Sequence, residues 1–310
     1  MARRSISEAV GKSGRAPYPS AMSLMAFLDR LPIPALRQAP PQVSVVRLFG
    51  VIGPLGPLRG GLNIAGLAGV LERAFKIKPL SAVALAINSP GGSASQSSLI
   101  AGRIRQLAAE KNVPVFAFVE DVAASGGYWL ASAADEIYAA ETSIVGSIGV
   151  ISASFGFQDL IKRLGIRRRL YTAGERKAML DPFLAEDPDD IERLKALQRE
   201  LHEAFKAQVR TRRANKLKAS EDTLFNGEFW TGRRALEFGL VDGIGDLRGT
   251  LRKRFGEKVR LRVVSGERGW LRRRLGLTGI DAPGIVWPAD WAPELIASLE
   301  ARALWSRFGL

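Results

Sequence analysis

Apolar residues fall in short unbroken runs along the first half of the chain, and stretches of helical period separate them. Val43–Gly53 (VSVVRLFGVIG), Val83–Asn88 and Val115–Glu120 (VFAFVE) are such runs and predict buried strands. Glu136–Ala140 predicts a shorter one. Between them the period lengthens, and helices are expected over Gly66–Lys76, from Ser93 to about Glu110, and after Ser125 through the apolar run Tyr128–Ala134. Strands alternating with helices argue an α/β fold with a mainly parallel sheet, whose functional loops gather at the strand C-termini.

The second half reads differently. Thr142–Val150 is small, Gly-rich and apolar, an extended wall against which another backbone can lie. Phe157–Leu164 predicts a helix, Arg167–Tyr171 a strand and Thr172–Phe183 a loop. Asp187 and Pro188 form an N-cap and first-turn pair that opens a long helix to about Ala214. Leu194, Leu197, Leu201 and Phe205 recur on it at helical spacing. Ser220 starts another helix, and Thr231–Phe238 is helical before the Gly239–Gly245 turn. Residues 1–42 read as an N-terminal extension with a short helix near Ser23–Arg30, broken by the Pro-rich LPIPALRQAPPQ. Residues 43–254 form the core domain, and 255–310 read as a basic tail.

Two glycine-rich turns end predicted strands: Ser89-Pro90-Gly91-Gly92, and Ala124-Ser125-Gly126-Gly127. At a strand-to-helix turn a side chain points outward, and the first amides of the helix are unpaired. That suits a nucleophile beside an oxyanion cradle, with Ser125 and the N–H of Gly126 from one turn and an amide of Gly91 or Gly92 from the other. The plain alternative is a Ser-Gly-Gly turn that merely caps a helix.

Composition narrows the chemistry. The 310 residues are 46% hydrophobic and 25% charged, which is ordinary globular material. There is no cysteine and one histidine, His202, which excludes thiolate and His-rich metal sites. No cofactor is implied. His202 falls in the polar helical stretch LKALQRELHEAFKAQ and reads as solvent-facing, so a base for Ser125 must come from elsewhere. A neutral lysine can serve as a base. Lys177, with Arg176 beside it and Ala178-Met179-Leu180 behind, is one candidate among many surface lysines.

The net charge of +14 attracts polyanions, nucleic acid or an anionic membrane surface. No nucleic-acid-binding motif is present. No apolar run is long enough to span a membrane, and Ala21–Leu28 is short for a signal-peptide core. The expected location is the cytoplasm, or the periphery of a bacterial cell membrane at its inner face. Trp270, Trp287, Trp291 and Trp305 lie with Arg272-Arg273-Arg274 in the tail, a composition suited either to peripheral membrane contact or to packing on protein.

Five blocks in order carry a resemblance: Ile87–Ser93 (INSPGGS), Asp121–Ala139 (DVAASGGYWLASAADEIYA), Gly146–Val150 (GSIGV), Gly174–Phe183 (GERKAMLDPF) and Phe229–Gly245 (FWTGRRALEFGLVDGIG). They resemble the S49 peptidases, the signal peptide peptidase A and SohB-like proteases, in their short single-domain form. The resemblance implies a fold like that of Clp protease and the crotonases. It implies a serine endopeptidase with a Ser-Lys dyad, acting on signal-peptide remnants or other unfolded, hydrophobic polypeptides.

Carried over, Ser125 is the nucleophile, Lys177 the general base, and Ser147 the serine that orients the lysine. Gly92 and Gly126 are the oxyanion pair, and Gly91, Gly146, Ile148 and Gly149 contact substrate. The implied assembly is a homo-oligomeric ring in which the lysine comes from the adjacent protomer. Many family members carry an N-terminal membrane anchor, and this chain has no convincing one. A crotonase-like acyl-CoA enzyme would share fold and paired amides without requiring this serine and lysine. A membrane-associated scaffold with a retired core would have lost Ser125 or Lys177, and both are present.

Overall fold

The computed structural model describes residues 40–54, 61–265, 299 and 301–310. Everything below belongs to the unit Pro41–Leu310. The expected helix near Ser23–Arg30 and most of the Trp- and Arg-bearing tail lie outside the described residues.

Among the described residues, eight strands form one sheet: β1 (Gln42–Phe49), β2 (Ala82–Ser89), β3 (Val115–Ala124), β4 (Glu136–Ala139), β5 (Ile144–Gly146), β6 (Phe229–Thr231), β7 (Gly243–Ile244) and β8 (Arg260–Val264). The path runs β6-β5-β3-β2-β1-β8, with β4 paired to β3 and β7. Every pairing is parallel except β5 with β6. This is the expected α/β architecture, a mainly parallel sheet flanked by helices.

Helices cover both faces. α1 (Ile64–Lys76) buries Leu67, Val70, Leu71, Ala74 and Phe75, one continuous stripe of helical period. Asn63 caps it by accepting from the Gly66 amide at 2.9 Å. α2 (Ala94–Lys111) adds Ile100, Ile104 and Leu107 to the same core, against Val83, Leu85 and Ile87 of β2. On the other face α8 (Leu247–Phe255) presses Leu251 into a smaller cluster with Phe116 and Phe118. A strand buried on both faces reads as a continuous apolar run, which is why β1 to β3 stand out in the sequence.

β3 continues to Ala124, past the expected end at Glu120, because Val122, Ala123 and Ala124 pair with β5. Its first half pairs with β4 instead. The two halves are offset by a bulge: Ile87 pairs with Val119, but Ser89 pairs with Ala123. The extra residues Glu120 and Asp121 are exposed, and Asn88 Nδ2 donates to Asp121 Oδ2 at 2.5 Å. Partial desolvation by its surroundings, and then the neighbouring Asp121, raise the Glu120 carboxyl above its ordinary value, with Arg47 opposing.

Further helices among the described residues include α3 (Gly126–Ala131), α4 (Gln158–Arg163), α5 (Pro188–Arg213), α6 (Glu221–Leu224) and α7 (Gly232–Glu237). α5 begins as expected, with Asp187 accepting from the Asp189 amide and Pro188 in the first turn. Its 26 residues span about 39 Å at 1.5 Å per residue. Only its second half is rooted in the core, through Phe205, Val209 and Arg213, whereas Leu197 and Leu201 are exposed.

Three differences from the sequence reading stand out. Arg167–Tyr171 is not a strand: these residues are exposed and lack a partner strand to complete their hydrogen bonds. Thr231 caps α7 rather than joining it, and Phe229–Thr231 is a strand. Arg260–Val264, beyond the expected domain limit at 254, is a sheet strand paired with β1.

Candidate active site

Ser125 stands at the junction of β3 and α3 with φ 51° and ψ −122°, a backbone conformation rare for a residue with a Cβ. Two hydrogen bonds hold it there: its N–H donates to Gly146 O at 2.8 Å, and its carbonyl accepts from Trp129 N at 3.0 Å. Its hydroxyl has no hydrogen-bond partner among the described residues. The helix behind it is packed tightly, with Tyr128, Leu130 and Ala131 wholly buried. Tyr128 Oη donates to Leu240 O at 2.8 Å, and burial pushes its phenol well above the usual range.

The second glycine-rich turn meets the first directly. A Cβ on Gly91 would lie 2.8 Å from Ser125 Cβ and 3.0 Å from Gly126 N. A Cβ on Gly126 would lie 3.4 Å from Gly92 N and would also collide with Ser97 Oγ. Gly92 has no room for a side chain either, since Ile52 O occupies the position. Ile52 pins this turn from both sides, its N–H donating to Gly91 O and its carbonyl accepting from Ser93 N, each at 2.8 Å. The Gly91 amide is engaged with Ser89 Oγ at 3.3 Å. The Gly92 and Gly126 amides have no acceptor among the described residues. Ile52 and Ser97 were not singled out in the sequence; a core isoleucine and a helical serine carry no signal of this kind.

Ser147 follows the carbonyl that anchors Ser125. It is buried, with φ 53°, and its N–H donates to Glu228 O at 2.6 Å. The wall is built without side-chain clearance. A Cβ on Gly146 would lie 2.9 Å from the Trp230 ring, and one on Gly149 would lie 3.2 Å from Gly227 Cα. Ile148 is wholly buried. So Gly91, Gly92, Ser125, Gly126, Gly146, Ser147, Ile148 and Gly149 come together as one neighbourhood.

His202 is not solvent-facing as its polar helix suggests. It is half-buried, and its Nε2 lies 3.1 Å from Ile148 O. Tertiary packing of α5 against the wall overrides the local pattern.

Lys177 stands apart. It is exposed in a turn, its own N–H donating to Gly174 O at 3.2 Å, and its ammonium has no hydrogen bond or ion pair among the described residues. No residue from Ile151 to Asp189 is buried. This arm has internal order: Arg168 pairs with Asp181 at 2.6 Å and lies over the Phe183 ring, which meets Phe157 at 5.7 Å. Its apolar side chains face outward, Tyr171 at 89% and Phe155 at 79% exposure, with Leu160, Leu164 and Ile166 more than half exposed.

A strained serine at a strand-to-helix turn, with two unengaged amides beside it from two separate loops, has the geometry that acyl-transfer chemistry asks of a nucleophile and an anion-binding cradle. The model of Peptidase family S49 matches residues 108–259, which include Ser125, Ser147 and Lys177. The chain is 31% identical over 214 residues to "Serine protease SPPA, chloroplastic" of Arabidopsis thaliana, covering 66% of this chain and 31% of that protein. It is 33% identical over 184 residues to the putative protease MJ0651 of Methanocaldococcus jannaschii, covering 59% of this chain and 58% of that one. It is also 51% identical over 293 residues to a Brucella abortus protein named Na(+)/H(+) antiporter NhaA, covering 93% of this chain but 40% of that protein. The chain thus spans less than two thirds of the length of each of these relatives. Over residues 108–259 the chain is similar to peptidase family S49.

Proposed function

We propose that the chain is a serine endopeptidase with a Ser-Lys dyad, in which Ser125 is the nucleophile and Lys177 the base. Ser125 Oγ attacks the peptide carbonyl carbon, and neutral Lys177 Nζ takes the hydroxyl proton. The carbonyl oxygen becomes an oxyanion that accepts from the Gly92 and Gly126 amides. As the tetrahedral intermediate collapses, the C–N bond breaks and the lysine returns the proton to the leaving amine. Water then hydrolyses the acyl-enzyme by the same route. Ser147 orients the lysine through its hydroxyl.

The observation that carries this reading is the contact between the two glycine-rich turns, which leaves the amides of Gly92 and Gly126 without acceptors beside the Ser125 hydroxyl. A crotonase-like acyl-CoA enzyme would use the amides but would have no need of a serine in strained backbone.

Lys177 serves a neighbouring copy. An arm with no buried residue and many outward apolar side chains is a surface made to be covered. Covered by adjacent protomers in a ring, it brings the lysine to the next subunit's Ser125. Such a ring admits unfolded chains, whose extended backbone pairs with the wall beside Ser147. Signal-peptide remnants and other hydrophobic segments fit it.

No helix among the described residues is long and apolar enough to cross a membrane.

A fluorophosphonate probe tests the reading, because only an activated serine is labelled. Wild-type protein is expected to label and Ser125→Ala not to. Labelling that persists in Ser125→Ala would place the nucleophile elsewhere.

A further inference from the structure

α5 touches both halves of the site. Phe205 stacks on Trp129 with ring centroids 4.7 Å apart, which holds the helix that follows Ser125. Gln208 Nε2 donates to Ser132 Oγ at 3.3 Å, and Arg212 Nε donates to Ser132 O at 3.2 Å, at the other end of that helix. One turn before Phe205, His202 Nε2 reaches the carbonyl of Ile148 at 3.1 Å. A carbonyl only accepts, so Nε2 carries the proton and donates. Among the described residues His202 is the one donor to Ile148 O.

The wall needs such a tether. Gly146 has φ 120° and Ser147 φ 53°, and Gly149 follows Ile148 directly. Glycines give a backbone conformational freedom that must be removed for one geometry to persist. The Ser147 amide is tied to Glu228 O and the Ile148 carbonyl to His202, so the wall is fixed from two sides. An extended peptide pairing with the wall meets a ready strand only while both ties hold.

We propose that His202 is a positioning residue for substrate: through the Ile148 carbonyl it sets the geometry of the wall and therefore the affinity for an extended peptide. It takes no part in proton transfer. The inference rests on the peptidase reading above.

The test separates the two. Wild-type, His202→Ala and His202→Gln proteins are compared in three measurements. These are the saturating rate of fluorophosphonate labelling, kcat and KM on a quenched fluorogenic peptide with a small apolar residue before the scissile bond, and the thermal midpoint. His202→Ala is expected to raise KM about fivefold, the size of one neutral hydrogen bond. Its labelling rate and kcat are expected to stay within about twofold of wild type. The glutamine amide can donate to the same carbonyl, so His202→Gln is expected to recover most of the affinity. An unchanged KM in His202→Ala overturns the inference. So does a fall in kcat at constant KM, or a glutamine variant as weak as the alanine one at equal thermal midpoint. Wild-type protein that neither labels nor cleaves the peptide overturns the peptidase reading, and this inference with it.

Discussion

Gly91 lies so close to Ser125 that a Cβ on the glycine would fall 2.8 Å from the serine Cβ. Gly91 also has φ 106°, a conformation that penalises any side chain. Gly91→Ala is therefore expected both to strain its own turn and to push Ser125 away from the Gly92 amide. Removing one oxyanion donor costs on the order of a hundredfold or more in rate. The expected result is a folded protein whose labelling by fluorophosphonate slows by about that factor. Unchanged labelling kinetics would mean that the two turns do not act together.

If Lys177 is the base, it must lose its charge to take a proton, and a guanidinium does not. Lys177→Arg keeps the exposed positive charge of the arm, so it is expected to leave assembly intact and to abolish peptide hydrolysis as fully as Lys177→Ala. Size-exclusion chromatography and a peptidase assay on the same preparation check both halves of this. Hydrolysis by Lys177→Arg would remove the lysine from the mechanism.

The wall allows little beside it: Gly146 lies against Trp230, and Gly149 against Gly227. Peptides that pair with it are expected to carry small or apolar side chains at the cleavage site. Sequencing the products of an unfolded protein digest reads this directly, and a majority of charged residues immediately before the scissile bond would count against the pairing.

Arg213 is 1% exposed and donates to Gly239 O twice and to Asp242 Oδ2 at 2.6 Å. Burial pushes the Asp242 carboxyl up, but Arg213 and Lys216 outweigh it and hold the group below its ordinary value. The folded chain therefore releases this proton more readily than the unfolded one. The stabilisation is complete above the unfolded value, near pH 4, and is lost as pH falls through the folded one. Asp242→Asn leaves a buried guanidinium without its counter-charge and is expected to cost about 3–5 kcal/mol at neutral pH. Denaturation curves from pH 7 to pH 3 should converge for the two proteins in acid; a constant gap would assign the loss to packing.

The parts of the fold visible in the sequence are those set by local pattern. β1, β2 and β3 are buried on both faces and read as apolar runs, and α1 shows its buried stripe at each turn. Ser125 is legible because the strand period ends there and two glycines follow. What was missed depends on partners distant in sequence. β6 and β8 are short, and each exists through its pairing with β5 or β1. The bulge at Glu120 and Asp121 arises where β3 changes neighbours. His202 reaches Ile148 across 54 positions, and no periodicity in its own helix announces that contact. Arg167–Tyr171 has the composition of a strand without a sheet edge to join.

The position of Lys177 leads to the last prediction. Within one chain Ser125 lies in a packed turn, while Lys177 is exposed on an arm that has no buried residue. Leu197 and Leu201 of α5, the helix that follows that arm, are exposed as well. Burying such side chains contributes roughly 1.5–3 kcal/mol each, so a surface bearing this many of them favours association. If a neighbour covers it, the dyad is completed between subunits, and a dissociated monomer is inactive. Complementation distinguishes this from a dyad within one chain. Ser125→Ala and Lys177→Ala proteins are unfolded together, refolded and assayed, with mixed oligomers verified by differently sized tags. At some junctions an intact Ser125 then faces an intact Lys177, and a fraction of wild-type activity is expected to return. Absence of recovery in oligomers shown to contain both variants would mean that each subunit supplies its own lysine.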